Sequence, residues 1–246
     1  MGSEMCIRDR SYTYGVLARA FLGTATMYLI TSWPIGFNFS FRALQGLFKF
    51  GVPYQLNSLL AVVKDKVMIL LLGKVIGHEG IAIIGWAEKW AKMPLRYFLD
   101  NTARVAFPTF ARIQSNKRKL KNAVEKVVYF LAVLIFPSLF GLGLVAGPLV
   151  KVIPRYLKWQ PALVPLYLYS FASVWGGFSV ILTTIFNAIG KIKITFKLMI
   201  LWTVLSWLFT PILALKMGFV GVPIAVILVN ISSVVGFWIL RKYTKF

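Results

Sequence analysis

The sequence has one cysteine, one histidine and only seven acidic residues among its 246 residues. With Cys6 as its single cysteine, the chain has neither a disulfide nor a cysteine-based metal site. The single histidine, His78, has no neighbouring ligand residues, so we predict a plain loop residue, no bound metal and no other cofactor. So few acids also make enzymatic acid–base chemistry a poor explanation of the chain.

Charged residues of either sign are scarce, at 14% of the chain, whereas 59% of residues are hydrophobic and the mean hydropathy is +0.75. Soluble domains carry about 25% charged residues, so the composition excludes an ordinary solvated surface and indicates an integral membrane protein. The alternating pattern of a membrane barrel is missing, which leaves helices as the spanning elements. We therefore predict an all-α polytopic membrane protein with about seven transmembrane helices. The predicted spans are 13–32, 51–73, 80–105, 127–147, 161–188, 195–215 and 218–240.

The charges that are present are mostly basic, and the formal net charge is +21. A soluble protein with this charge would suggest nucleic acid, but here the basic residues lie between apolar runs, so we expect no nucleic-acid partner. They fall unevenly into two alternating sets of loops. The larger set contains Arg42, Lys49, Arg112, Lys117, Arg118, Lys119, Lys121, Lys126, Lys191, Lys193, Lys197, Arg241, Lys242 and Lys245. The smaller set contains Lys74, Lys151, Arg155, Lys158 and Lys216. By the positive-inside rule we predict that the larger set, and with it the C-terminus, is cytoplasmic.

The opening stretch, MGSEMCIRDR, is too polar for a signal peptide, which needs about 7–15 apolar residues. Residues 2–10 resemble the direct translation of a transposase sequencing adapter, so we expect residues 1–10 to be non-biological sequence. The predicted orientation also places the first residues outside, as expected for a chain that lacks an odd number of upstream spans. We therefore expect the later part of a longer protein.

Two local features interrupt the apolar segments: a short helix between two predicted spans, and helix-breaking residues within the spans. The stretch FNFSFRALQGLFKF predicts a short helix capped by Phe39 or Ser40, which either lies on the cytoplasmic leaflet or is an ordinary connecting helix. Residues that break or bend helices also occur inside the predicted spans, where they indicate kinks. These residues are Pro53, Pro94, Pro165, Gly176, Gly177 and Pro211.

The second predicted span contains three consecutive charges, Lys64, Asp65 and Lys66, near its middle. A charged side chain at that depth costs about 2.5–3.5 kcal/mol on insertion scales and normally faces a bundle interior or a water-filled cavity. The two lysines lie about 200° apart on a helix, so both cannot face the same point. We predict that one lysine faces the interior with Asp65 nearby, while the other packs elsewhere or snorkels.

The third predicted span contains a row of charges spaced four residues apart, namely Glu88, Lys92, Arg96, Asp100 and Arg104. Four residues advance a helix by about 400°, so the row drifts only about 40° per step and we expect a stripe along one face. Opposite charges then meet at 88/92, 96/100 and 100/104, and Lys89 flanks the row. The helical rise places Lys92 and Arg96 near the membrane midplane. The alternative is an amphipathic helix that lies on the membrane with its charges in water.

If this segment crosses the membrane, it lines a cationic, water-accessible cavity that attracts anions. An arginine can grip a phosphate with two hydrogen bonds, whereas lysines act as point charges, so a phosphorylated lipid head is the natural ligand. The candidate substrate-binding residues are Lys64, Lys66, Lys89, Lys92, Arg96 and Arg104. The candidate ion-coupling residues are Asp65, Glu88 and Asp100. We predict no catalytic residue.

At these residues the chain resembles bacterial polysaccharide flippases. These form the oligosaccharide/polysaccharide transporter branch of the multidrug/oligosaccharidyl-lipid/polysaccharide exporter superfamily. The resemblance covers about residues 11–246 and is carried by FKFGVPYQLNSLL, KDKVMILLLGKVIGHEGIAIIGWAEKWAKMPLRYF, VAFPTFARIQSNKRKLKNAV, TTIFNAIGKIK and MGFVGVPIAV. It implies two six-helix lobes. Residues 11–50 would be the last helix of the first lobe with a cytoplasmic linker, and residues 51–246 the complete second lobe.

The resemblance further implies alternating access for an undecaprenyl-diphosphate-linked oligosaccharide in the bacterial inner membrane. Membrane lipids, a polysaccharide polymerase and a chain-length regulator are the expected partners. One rival is a drug exporter, or an exporter of another lipid-linked precursor, from the same superfamily. An exporter of organic cations should have net acidic interior residues, and the row here is net basic. The other rival is a membrane-bound polymerase or glycosyltransferase, which needs positioned acids or bases.

Overall fold

The computed structural model describes residues 2–30, 40–236 and 238, and it divides the chain into two compact units. The first unit, Met1–Gln45, contains helix α1 (Gly2–Ile30). The predicted span 13–32 falls mostly in α1, and its last two residues lie outside the described residues. Within the described ranges, α1 is not among the helices that are long and apolar enough to cross a membrane.

The second unit, Gly46–Phe246, is a bundle of helices. Helix α2 (Phe41–Val62) is followed by a five-residue π-helical segment, Val63–Val67, and then by α3 (Met68–Ile113). The remaining helices are α4 (Lys117–Val152), α5 (Leu163–Ala188), α6 (Ile192–Met217) and α7 (Gly221–Ile231). Short 3₁₀ segments, Pro154–Ala162 and Gly218–Val220, precede α5 and α7. The predicted all-α class is confirmed.

Four continuous stretches of the described residues are long and apolar enough to span a membrane: Gly51–Ile113, Arg118–Val152, Pro154–Ala188 and Ile192–Gly236. Two of these stretches each consist of two segments that are separated by a break in the helix. At Gly77 the backbone of α3 leaves helical geometry, with φ 71° and ψ 174°, and Gly218 has φ 60° where α6 gives way to α7. These two breaks divide the four stretches into six segments, which fall at the positions of the predicted spans from 51–73 onward. The last of these is described only to residue 236 and at 238.

The position of the break in α3 differs from the predicted kinks. Pro94 lies within α3, Gly176 and Gly177 lie within α5, and the only non-helical backbone inside α3 is at Gly77. His78, which we predicted to lie in a loop, is exposed and follows this break directly. The predicted short helix is also not separate, because α2 runs without a break from Phe41 to Val62. Of the two candidate caps, Ser40 directly precedes α2, and Phe39 lies outside the described residues.

Two hydrophobic clusters hold opposite ends of the bundle. One contains Phe110, Leu120, Phe186 and Leu198, which flank the turns at 114–116 and 189–191. The other contains Leu72, Ile83, Ala162, Ala214 and Val222, which flank Gly77 and the two 3₁₀ segments. Successive turns therefore alternate between the two ends, as the alternating basic loops require.

Candidate functional site

A cavity of about 380 Å³ lies inside the second unit, and it collects charges from two neighbouring segments. The π-helical segment supplies Lys64 and Asp65, and α3 supplies Glu88, Lys92 and Arg96. Helices α5, α6 and α7 supply the other side, which carries neutral polar groups. The structure thus brings together five of the nine residues predicted for binding or coupling. We call the two sides the charged wall and the neutral wall.

The π-helical segment places Lys64 and Asp65 on the cavity. The ammonium of Lys64 donates a hydrogen bond to Asp65 Oδ1 at 2.8 Å, and the Lys64 side chain is 25% exposed. Lys66 is exposed and does not line the cavity, so the predicted separation of the two lysines is confirmed. Single π-helical turns inside α-helices occur frequently at functional sites, and this one coincides with the charged triplet.

The first pair of the α3 row is formed as predicted. Lys92 Nζ donates to Glu88 Oε1 at 2.5 Å, and both side chains are about one-third exposed. Ala87 and Ala91, which are completely buried, pack the adjacent face of α3 into the bundle. This packing supports a helix within the bundle rather than one that lies on the membrane surface.

The predicted pairs at 96/100 and 100/104 are wrong. In the described part of the chain, Asp100 has no basic nitrogen within 4.0 Å, and Asp100, Arg104 and Lys89 are all exposed and lie outside the cavity lining. The drift of the row around the helix carries its later members away from the cavity. At about 40° per step, four steps turn Arg104 about 160° away from Glu88, so the row cannot share one face over its whole length.

The charge balance of the cavity leaves Arg96 without a carboxylate. Among the described lining residues, Asp65 neutralises Lys64 and Glu88 neutralises Lys92. Arg96 forms no ion pair with any described residue. The cavity therefore carries a single net positive charge on a planar guanidinium, which suits an anion with two acceptor oxygens.

Our sequence analysis missed the neutral wall. This wall presents small or neutral polar groups, which are Tyr169, Ser173, Ser206, Thr210 and Asn230. Ser173 is 3% exposed, and its hydroxyl has no hydrogen-bond partner in the described structure. Asn230 donates from Nδ2 to the carbonyl of Ala172 at 2.9 Å. The available signal was the spacing of Ser170, Ser173 and Gly176, which places small residues on one face of α5.

Among the described residues, no group of three or more histidine, cysteine, aspartate or glutamate side chains could hold a metal ion. The arrangement instead offers a guanidinium, two lysines held by carboxylates, and hydroxyl and amide groups. Such a set can bind an anionic, hydroxyl-bearing ligand without making or breaking a covalent bond.

The chain matches a known protein family. A family model described as polysaccharide biosynthesis protein matches residues 11–164, which is more than half of the chain. Two curated relatives are similar. The lipopolysaccharide biosynthesis protein WzxC of Escherichia coli K12 is 23% identical over 211 residues, which cover 84% of this chain and 42% of WzxC. The teichuronic acid biosynthesis protein TuaB of Bacillus subtilis strain 168 is 30% identical over 111 residues, which cover 45% of this chain and 23% of TuaB. The chain thus spans less than half the length of either relative.

The fold is also found in a solved structure. The crystal structure of MATE in the straight conformation matches with a TM-score of 0.76 and 17% sequence identity. The match covers 93% of this chain and 54% of the MATE chain. At this identity the match establishes a shared fold.

Proposed function

The chain belongs to the polysaccharide biosynthesis protein family, and on that premise we propose that it is part of a flippase for surface polysaccharide synthesis. The substrate of this flippase is an undecaprenyl-diphosphate-linked oligosaccharide repeat unit, which it moves across the cytoplasmic membrane. The names of the two curated relatives and the MATE-like fold support a transporter of this superfamily. In this mechanism the protein carries no catalytic residue, because translocation requires no covalent chemistry.

The observation that carries the proposal is the net cationic cavity inside an apolar helical bundle. Arg96 is exposed and lines the cavity, and a charged side chain at membrane depth normally faces such a cavity because exposure to lipid is costly. A diphosphate supplies the two acceptor oxygens that Arg96 matches, and Lys64 and Lys92 add positive charge beside it. We therefore assign diphosphate binding to Lys64, Lys92 and Arg96. Lys66, Lys89 and Arg104, which lie outside the cavity, have no such role in this proposal.

The transport cycle follows from the lobe organisation that the resemblance implies. We propose that residues 51–246 form one six-helix lobe and that residues 11–50 contribute the last helix of the other lobe and a linker. The lobes rock about the bound substrate and release it outside, and a polymerase and a chain-length regulator then receive it. In this scheme the protein lies in the bacterial inner membrane with its C-terminus in the cytoplasm.

Ion coupling belongs to the same proposal. Asp65 and Glu88 line the cavity, but each already holds a lysine ammonium, so a coupling proton or sodium ion must displace that lysine. Asp100 lies away from the cavity and is the weakest of the three candidates. An exporter of organic cations, the rival from the same superfamily, is disfavoured because the cavity is net positive.

An export assay in cells that depend on the full-length protein tests the diphosphate site. We expect Arg96→Ala to reduce surface polysaccharide by roughly 10-fold or more, because a hydrogen-bonded charge contributes about 1.5–3 kcal/mol. Arg104→Ala is the matched control, since it removes the same side chain from the same helix outside the cavity. Arg96→Lys should restore export only in part, because the ammonium keeps the positive charge but cannot form the two parallel hydrogen bonds of a planar guanidinium.

Protein levels are matched by quantifying each variant in the membrane fraction. Because Arg96 and Asp100 form no ion pair, Arg96→Ala leaves no carboxylate stranded. Equal export by Arg96→Ala and Arg104→Ala would contradict the assignment of the diphosphate to the cavity. Lys121→Ala, in the first turns of α4, provides a second control.

A further inference from the structure

The 3₁₀ segment Pro154–Ala162 presents two basic side chains that the transport cavity does not use. A 3₁₀ helix has three residues per turn, so side chains three residues apart lie above one another in a row. Trp159 and Ala162 belong to the row that faces the bundle, because Trp159 is half-buried and Ala162 is completely buried. Arg155 and Lys158 belong to the next row, and both are exposed. We call Arg155 and Lys158 the basic row.

Aromatic packing fixes the basic row in position. The rings of Trp159 and Trp86 stack with their centres 5.4 Å apart and their planes 10° apart, which attaches the segment to α3. Lys158 Nζ lies over the Trp159 ring, 5.4 Å from its centre, where a cation is attracted to the π-electrons. The ammonium is therefore held beside the segment before any ligand binds.

The basic row has no carboxylate that neutralises it. Glu125 is the last acidic residue of the sequence. Among the described residues, no carboxylate oxygen lies within 4.0 Å of the Arg155 or Lys158 side chain. Three residues of a 3₁₀ helix rise by about 6 Å, so the two cations are close enough to repel each other. An anion that contacts both would remove this repulsion.

Topology and helix geometry do not account for these two cations. The positive-inside rule explains the larger basic set, whose turns lie at the opposite end of the bundle. The helix dipole explains Lys151, which lies in the last turn of α4. Arg155 and Lys158 lie beyond the end of that helix, at the end of the bundle where basic residues are few.

Exposed apolar side chains lie next to the basic row in sequence. Val152 is 77% exposed and Leu157 is 49% exposed, and Leu157 directly precedes Lys158. A soluble anion offers no partner for such side chains, whereas a phospholipid offers a phosphate and acyl chains together. Basic residues combined with exposed apolar residues and a tryptophan are typical of segments that lie in a membrane interface.

We propose that Arg155 and Lys158 bind the phosphate of an anionic phospholipid headgroup at this end of the bundle. Arg155 donates two hydrogen bonds to the phosphate, and Lys158 adds a point charge. Val152 and Leu157 contact the beginning of the acyl chains. This lipid site is separate from the transport cavity, and it goes beyond the proposed flippase function because it does not depend on which substrate is carried.

A fluorescent probe beside the basic row tests the lipid site. Gln160 is exposed on the same segment, so Gln160→Cys in an otherwise cysteine-free full-length protein is labelled with bimane. The protein is reconstituted into phosphatidylcholine vesicles that contain a small, equal fraction of either phosphatidylglycerol or phosphatidylcholine with a nitroxide near the start of the acyl chain. Quenching should show a preference for phosphatidylglycerol of roughly 5-fold or more, the factor expected for one basic residue at an anionic lipid surface.

Two variants define the contribution of the basic row. The double variant Arg155→Gln with Lys158→Gln should abolish the preference, because it removes both charges and keeps two polar side chains. Arg155→Lys should keep most of it, because the charge remains. Bimane emission in vesicles without quencher shows whether the surroundings of residue 160 are unchanged in each variant.

The matched control is Arg118→Gln with Lys119→Gln. It removes the same two residue types from exposed positions at the start of α4, at the other end of the bundle, and should leave quenching unchanged. The inference is overturned if the two lipids quench equally in the original protein, or if this control lowers the preference as much as the basic-row variant. It is also overturned if bimane responds to soluble polygalacturonate but shows no preference for phosphatidylglycerol, since the partner would then be an anionic polysaccharide.

Discussion

At the scale of single residues, we expect the Glu88–Lys92 ion pair to set how strongly the cavity attracts an anion. Both side chains are half-buried, so the carboxylate cancels most of the lysine charge that a substrate would otherwise meet. Glu88→Gln should therefore raise the affinity for farnesyl diphosphate by roughly 3- to 10-fold, which corresponds to the loss of one nearby charge. Lys92→Ala should lower it. Calorimetric titration of the full-length protein measures both changes.

Glu125→Gln provides the control for this prediction. Glu125 pairs with Lys121 at 3.8 Å near the start of α4, with both side chains about half-exposed and outside the cavity. Its removal should not change the affinity. An unchanged or weaker affinity of Glu88→Gln would show that the substrate does not meet this pair.

How much of the site can be predicted from sequence also depends on single residues. The cost of charge in an apolar segment identified Lys64, Asp65, Glu88, Lys92 and Arg96, which the cavity brings together. The same rule wrongly placed Asp100 and Arg104 on the cavity face. A drift of about 40° per step around the helix is small between neighbours in the row but large over four steps. Ser173 had only the weak signal of small-residue spacing on α5, and Asn230 had none, since small polar residues are common in membrane helices.

At the scale of elements, Gly77 divides α3 into two spans, and its backbone explains why it is glycine. The combination of φ 71° and ψ 174° is accessible almost only to glycine. Gly77→Ala should lower the free energy of unfolding by about 1–3 kcal/mol, although no side chain crowds the site. The midpoint of thermal unfolding in detergent measures the change.

The matched control is Gly85→Ala in the second part of α3. Gly85 is exposed and helical, and a Cβ there would meet no atom within 4 Å. Alanine is the better helix former by about 1 kcal/mol, so this variant should be neutral or slightly more stable. Equal destabilisation by the two variants would show that the turn at Gly77 is not the cause.

The sequence predicted that these helices exist better than it predicted the residues at which they begin and end. Hydropathy located the four apolar stretches of the second unit, because a membrane-spanning helix must match the thickness of the hydrocarbon core. It could not show that α2 begins at Phe41 or that α3 continues to Ile113, since helices extend beyond the bilayer without an apolar signal. The prolines in the spans suggested kinks, but in α3 the backbone breaks at Gly77, where a glycine adopts a conformation that other residues avoid.

At the scale of the whole molecule, the distribution of basic residues and the alternation of turns describe one topology. The turns at 114–116 and 189–191 lie at one end of the bundle with Arg112, Arg118, Lys119 and Lys191 of the larger basic set, and the 3₁₀ segment Pro154–Ala162 lies at the other end. Basic loops are retained in the cytoplasm during insertion, so the first end should be cytoplasmic and the second external. The stacked rings of Trp86 and Trp159, 5.4 Å apart, lie at this second end, where we expect a membrane interface.

Cysteine labelling in intact cells tests this topology. In a background with Cys6→Ser, a membrane-impermeant maleimide should label Gln160→Cys and should label Ser115→Cys only after the cells are opened. Both positions are exposed, and Ser115 is preferable to Asn116 because the Asn116 side chain caps α4 by accepting from the Lys119 N–H at 3.0 Å. Labelling of Ser115→Cys but not of Gln160→Cys in intact cells would reverse the orientation. A reversed lobe would place the basic loops outside, and the proposed direction of export would then lose its electrostatic basis.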